Sequence, residues 1–266
     1  MSFTINTNTS SLGAVRQTHK AHQSLSDSLE RIATGKRINS ASDDASGMTI
    51  ADRLKSQHQA AGQEIQNASA SISIAQTAEG ALGEMSDILQ NIRTKTIEAA
   101  SGLQSGQSLE AIQSDIQGSL NALKDIAQTT SYNGQTLLDG TFSQGNLNMD
   151  SMDPSNLGSG GAETLADIDI TTAQGAQEAL TVVDQALDQV SQARSGIGSV
   201  QNQYLSEIDN LSTSRINLMA AESQIRDTDL AEESILLNQA KAMRQAGIYA
   251  LNHSNDSKKK LIDLLG

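Results

Sequence analysis

The chain has 266 residues and a formal net charge of −13, with 2% aromatic residues, one proline and no cysteine. Sandwiches and barrels fill their cores with aromatic and β-branched side chains, so this composition argues against a large all-β body. The lack of cysteine removes disulfides, thiolate metal sites and cysteine nucleophiles. The charge is uneven: residues 1–60 hold seven Lys/Arg against five Asp/Glu, residues 234–266 five against two, and residues 61–233 six against twenty-four. An acidic body between two mildly basic ends is repelled by duplex DNA and by anionic membranes, and only Lys258, Lys259 and Lys260 resemble a basic patch.

In chain order, Met1 to Asn8 has neither the positive nor the apolar region of a secretory signal. No apolar run approaches the ~18 residues of a membrane span. Val15, Leu25, Leu29 and Ile32 form a thin apolar stripe. Asp43 and Asp44 stand where helix caps and first-turn acids belong. From there to Ala100, Met48, Leu54, Ile65, Ala68, Ile72, Ala75, Leu82, Met85, Leu89 and Ile92 recur at helical spacing. A shorter helix follows with Leu109, Ile112, Ile116, Leu123 and Ile126 on one stripe.

Tyr132-Asn133-Gly134 is a hairpin turn signal, and Asp139 to Gly161 is rich in Gly, Ser, Asn and Asp. A short β element is expected over roughly 130–172; residues 141–170 read equally as an ordered hairpin or a loose surface loop. Counting by three and four from Leu180 gives Val183, Leu187, Val190, Arg194, Ile197, Gln201, Tyr204, Ile208, Leu211, Arg215, Leu218, Glu222 and Ile225. This heptad seam predicts one long helix from about Thr172 to Ala221 or beyond, and its polar members all share one heptad position. Leu236, Ala240, Met243, Ala250, Leu261 and Leu264 make a second thin stripe at the other end. The expected fold is mainly α, an elongated antiparallel helical bundle or coiled coil with a short β-hairpin region in the middle. The terminal segments, 1–42 and 234–266, hold too few large apolar residues for a lone helix and are expected to order against each other or against neighbouring copies, apart from a bundle domain at 43–233.

Catalytic and metal readings are weak. His19 and His22 lie three apart on a helix, but no third ligand sits at helical spacing to them. His58 and His253 are isolated, with no Ser or Cys in a recognisable nucleophile context. Gly196-Ile197-Gly198 lacks the third glycine of a dinucleotide fingerprint and has no preceding strand. Arg226-Asp227-Thr228-Asp229 with Glu232 and Glu233 lacks the glycine and spacing of a calcium loop, and reads as a helix start capped by Thr228 or Asp229. No catalytic residue, cofactor or metal is expected.

Ile5-Asn6-Thr7-Asn8, Ser28-Leu29-Glu30-Arg31, Gly35 to Ala41 with Asp43-Asp44-Ala45, and Ala51-Asp52-Arg53-Leu54 resemble the amino-terminal signature of bacterial flagellin. Ala75 to Leu82 and Tyr132-Asn133-Gly134 are similar to the same family, as are Gly198 to Asn202, Ala221 to Asp229 and Gln245-Ala246-Gly247 in its carboxy-terminal block. The likeness covers about 2–139 and 179–265. It implies a structural filament subunit of the short form, without the variable outer domains. Its terminal segments would pair as a coiled coil in the filament core, with Leu25, Leu29, Ile32, Leu236, Met243, Leu261 and Leu264 as polymerisation residues.

The resemblance also implies secretion to the extracellular flagellum through the type III apparatus without a cleaved signal peptide. Its partners would be further copies of the chain, an export chaperone on the carboxy-terminal segment, and the filament cap and hook-associated proteins. Nucleic acid and membrane are not expected partners. Many flagellins read Leu-Gln-Arg-x-Arg-Glu-Leu on the first long helix, a surface used between protofilaments and recognised by a Toll-like receptor. Here the stretch is Leu89-Gln90-Asn91-Ile92-Arg93-Thr94-Lys95. With Asp115, the residues Gln90, Asn91, Arg93, Thr94 and Lys95 make up that surface, and the departures imply weak or no receptor recognition. The alternatives are a hook-filament junction protein, a soluble helical adaptor or secretion chaperone, and a metal-dependent enzyme built on Asp227 and Asp229.

Overall fold

A computed structural model describes residues 8–158 and 164–263. Five helices dominate: α1 (Thr9–Thr34), α2 (Ala45–Ala100), α3 (Gly106–Thr129), α4 (Ala173–Arg226) and α5 (Leu230–Asp263). Two antiparallel hairpins stand between α3 and α4, β1 (Ser131–Tyr132) with β2 (Gln135–Thr136), and β3 (Ser143–Gln144) with β4 (Leu147–Asn148). The mainly helical fold expected from the periodicity is the one observed. The chain divides into two compact units, one running through Ala60 and resuming at Ser214, the other Ala61–Thr213.

The second unit holds the large core. α2 contributes Leu82, Met85, Leu89 and Ile92, α3 contributes Ile116 and Leu123, and α4 contributes Val183, Ala186 and Val190, none more than 1% exposed. The alanines between them, Ala75, Ala78, Ala176 and Ala179, are equally buried and let the helix backbones approach. α4 shows how the heptad reading maps onto packing. Over Ala176 to Val190 it buries a broad stripe, and beyond Ile197 the seam positions Gln201, Tyr204, Ile208, Leu211, Leu218, Glu222 and Ile225 are partly covered, while Arg194 and Arg215 on the same seam are exposed.

The segment before α4 is an ordered lid. Asn133 has φ 52° and Gly134 φ 81°, the two left-handed residues that a type I′ turn requires, which is why the Asn-Gly pair marks the first hairpin. After it, Leu137, Leu138, Phe142, Leu147, Met149, Met152, Leu157, Leu165, Ile168 and Ile170 are buried in the same core as the helices. The Gln113 side chain joins α3 to the end of this lid, donating to Ile168 O at 2.9 Å and accepting from Ile170 N at 3.0 Å.

The first unit is thinner, and its buried apolar residues are small or few: Ala21, Leu25, Ile38, Ala51 and Ala240. Asp44 Oδ1 accepts from Gly47 N at 2.9 Å and caps α2. Asp43 Oδ2 closes the preceding loop on Ser40 N and Asn39 N at 2.9 and 3.1 Å. Those bonds, that from Ser40 first, hold the Asp43 carboxyl below its ordinary pKa.

Leu123 is 0% exposed at the centre of the second unit. Its replacement by alanine is expected to lower that unit's stability by about 2–5 kcal/mol, read as a shift of its urea midpoint in circular dichroism.

Candidate assembly surfaces

α1 and α5 pack antiparallel along their lengths. Asn8 Nδ2 donates to Ser254 O at 3.4 Å and Ser254 Oγ to Asn8 Oδ1 at 3.2 Å, while Arg31 meets Glu233 at 3.7 Å. The covered positions follow heptad spacing on both helices. On α1 they are Ser11, Ala14, Thr18, Ala21, Leu25, Ser28 and Ile32; on α5 they are Glu233, Leu237, Ala240, Arg244, Gly247, Leu251, Ser254 and Lys258. Close approach is the device. A methyl group on Gly247 would collide with Thr18 Oγ1, so at this level glycine leaves room for the Thr18 side chain.

This pairing face differs from the stripes that large apolar residues suggest. Of the expected polymerisation residues, Leu25 is buried and Ile32 half-buried, but Leu29, Leu236 and Met243 are 49%, 41% and 40% exposed. Val15 and Ala250 are exposed as well. The Leu261 side chain and all of Leu264 lie outside the described residues, as do Ile5, Asn6 and Thr7. Small residues conceal the pairing face because their covered area is slight and the spacing of large residues reports only the outward one. Large apolar side chains therefore stand exposed outside the seam, Leu12 and Leu29 on α1 and Leu236, Met243 and Tyr249 on α5, with Leu236 and Met243 lining a groove beside Ser24 and Asp27 of α1. Two seam groups, Glu233 Oε1 and Arg244 Nε, are buried with no hydrogen-bond partner among the described residues.

A polar joint ties these helices to α2 and α4. Arg37 N donates to Arg226 O at 2.7 Å and Thr228 N to Gly35 O at 3.0 Å, forming an antiparallel bridge between Lys36 and Asp227. Arg37 Nη2 donates to Ile225 O at 2.7 Å. Below it, Arg226 Nη1 reaches Asp52 at 3.0 Å, and Glu222 Oε2 pairs with His58 Nε2 at 3.0 Å. The sequence blocks Gly35 to Asp44 and Ala221 to Asp229 thus meet face to face. Asp229 Oδ1 caps α5 through Ala231 N at 2.8 Å and Glu232 N at 3.3 Å, so the acidic run is a helix start.

The 89–95 stretch lies on α2 in the second unit. Leu89 and Ile92 point into the core, leaving Gln90, Asn91, Arg93 and Thr94 exposed. Arg93 Nε donates to Asp184 on α4 at 2.6 Å, which raises the guanidinium's already high pKa, and Lys95 Nζ reaches Asp115 on α3 at 3.0 Å. Thr94 Oγ1 donates to Gln90 O at 2.9 Å. Asp184 carries no signal in the sequence, because its tie to Arg93 spans two helices ninety-one residues apart. Between α4 and the lid lies a groove of about 540 Å³ whose lining includes Asn146, Asn148, Gln189 and Gln192 over Leu147, Met149 and Ile197.

The description "Bacterial flagellin N-terminal helical region" matches residues 5–143, and "Bacterial flagellin C-terminal helical region" matches residues 180–265. The chain belongs to the bacterial flagellin family. The flagellin of Halalkalibacterium halodurans is 33% identical, with 89% of this chain and 90% of that protein covered. Flagellin B of Vibrio cholerae is 27% identical over the full length of both. The crystal structure of Bacillus cereus flagellin covers 59% of this chain and 94% of its own, with 23% identity and a TM-score of 0.46.

This flagellin is a structural subunit of the extracellular flagellar filament, and no observation favours the junction protein. It is the short form that lacks outer domains, with only the lid between α3 and α4. No described helix is long and apolar enough to cross a membrane.

Gly247→Ala is expected to push α1 from α5 and to reduce filament yield several-fold, measured by sedimentation. Thr18→Ala removes the obstructing Oγ1, so the double variant should recover most of that yield.

Proposed function

We propose that the flagellin chain polymerises through the outward faces of α1 and α5, which form the inner layer of the filament, while the second unit forms the surrounding layer. The single observation that carries this reading is the set of large apolar side chains left exposed on a helix pair whose own contact face is made mostly of small residues. Such a pair buries too little to be stable alone, so ordering of the ends and polymerisation become one event.

Export is through the flagellar type III apparatus without a cleaved signal peptide, with a chaperone holding the carboxy-terminal segment. Growth takes place beneath a cap protein on hook-associated proteins. These partners rest on the family resemblance. Recognition by the Toll-like flagellin receptor is weak or absent. Asn91 and Thr94 offer no charge to a receptor, and the two cations of the stretch, Arg93 and Lys95, are already engaged by Asp184 and Asp115.

Raising the salt screens the acidic units, and the purified chain is then expected to form filaments visible by electron microscopy. A chain lacking residues 1–40 should form none, and normal filaments from it would remove the inner-layer assignment. In a receptor reporter cell line the monomer should give little signal; full activation would defeat the proposed evasion.

A further inference from the structure

We propose that Asn133 deamidates in the folded chain, and that opening of the first hairpin alone admits the reaction. Asn133 is the one asparagine in the chain that precedes a glycine, and Asp139 is the one aspartate that does. Both Asn133-Gly134 and Asp139-Gly140 lie in the lid segment. Each sets a side-chain carbonyl carbon beside the backbone nitrogen of a residue without Cβ, the least hindered nucleophile that a chain offers. The structure treats the two differently.

Asp139 is held. Its Oδ2 accepts from Thr136 Oγ1, and its Oδ1 accepts from Thr141 N at 2.9 Å and from Thr141 Oγ1 at 2.7 Å. These bonds, that from Thr136 first, keep the carboxyl below its ordinary pKa, and an ionised carboxylate resists attack at carbon. Its backbone is bridged to Ser151, and a methyl group on Gly140 would meet Ser151 Cβ at 2.9 Å and Ser151 N at 3.0 Å, so this dipeptide has no room to turn.

Asn133 is free. It and Gly134 are exposed, and neither its carboxamide nor the Gly134 N–H has a hydrogen bond to a described residue. The turn withholds only the approach: at φ 52° in a type I′ turn, Cβ of Asn133 and Gly134 N stand on opposite sides of the Cα–C bond. Rotation about that bond requires the hairpin to open. Its ladder is two residue pairs long, Ser131 with Thr136 and Tyr132 with Gln135, and of these four only Thr136 is partly covered. A ladder of that length is marginal in water. It opens while Leu137 and Leu138 stay in the core.

In the open form Gly134 N attacks Asn133 Cγ and gives up its proton to solvent as the new C–N bond forms. The side-chain nitrogen leaves as ammonia, and water then opens the succinimide ring at either carbonyl, to aspartate or to isoaspartate. One water is consumed and one ammonia released, with no change of oxidation state. Aspartate adds a negative charge to a unit that holds four Lys/Arg against nineteen Asp/Glu over residues 61–213. Isoaspartate lengthens the main chain by one carbon and removes the two-residue turn.

The test incubates the full chain in mildly alkaline buffer, digests it, and follows each asparagine for the gain of one mass unit, with isoaspartate scored by enzymatic methylation. Conversion at Asn133 should run roughly tenfold or more ahead of the other asparagines, and isoaspartate at Asp139 should stay below about a tenth of it. Conversion at Asn133 no faster than elsewhere, or isoaspartate forming as fast at Asp139, overturns the proposal. A urea series ending below the unfolding transition identifies the route. Local opening exposes little surface, so the rate at Asn133 should change by less than about twofold. A rate that climbs with urea in step with global unfolding overturns the hairpin as the gate.

Discussion

The constraint on which this molecule turns is the scarcity of large apolar residues in its first unit. A helix pair has to remove apolar surface from water to hold together, and α1 and α5 meet through Ala14, Thr18, Ala21, Ser28, Ala240 and Gly247. Such residues gain little per position from transfer out of water and compensate by proximity, since dispersion grows as backbones close. Gly247 against Thr18 is the limiting case. Of the larger apolar residues of the same helices, Leu25, Ile32, Leu237 and Leu251 lie on the seam, while Leu12, Leu29, Leu236 and Met243 stand exposed.

The polar joint follows from the same scarcity. Where apolar contact is thin, α1 and α5 are fixed to α2 and α4 by directional bonds: two backbone bonds between the Gly35 and Asp227 loops, Arg37 on Ile225 O, and Arg226 on Asp52. A bond between backbones specifies register, which a smear of alanine contact does not. The polar members of the α4 seam have a related use. Glu222 meets His58 in the first unit, and Gln201 donates to Glu79 at 3.1 Å in the second. Each places a hydrogen-bonding group where only one partner position on α2 can satisfy it.

How much of this was legible in the sequence depended on residue size. The long helices were readable because Leu, Ile, Met and Val recur at three and four, and α4 begins and ends within a few residues of the span its seam defines. The first hairpin was readable because Asn133-Gly134 has a geometric requirement. The lid was not: Leu137, Phe142, Met152 and Leu165 are separated by irregular intervals among Gly, Ser and Asp, so burial there has no period to detect. The pairing face of α1 escaped for the opposite reason, having a strict period but residues too small to announce it. Asp184 and Asp115 escaped because an ion pair between helices depends on registers that no local pattern encodes.

Charge and assembly pull against each other, and the chain separates them in space. Residues 61–213 hold four Lys/Arg against nineteen Asp/Glu, and two of those four cations are bound internally to Asp184 and Asp115. Copies of this unit repel one another when brought side by side, and that repulsion falls within a Debye length of about 8 Å at physiological salt. The ends, by contrast, carry a slight positive excess. Attraction between copies then has to come from the exposed apolar side chains of α1 and α5. An acidic outer layer keeps free chains and finished polymers in solution, while the balance between monomer and polymer is set in the first unit, where each residue contributes least.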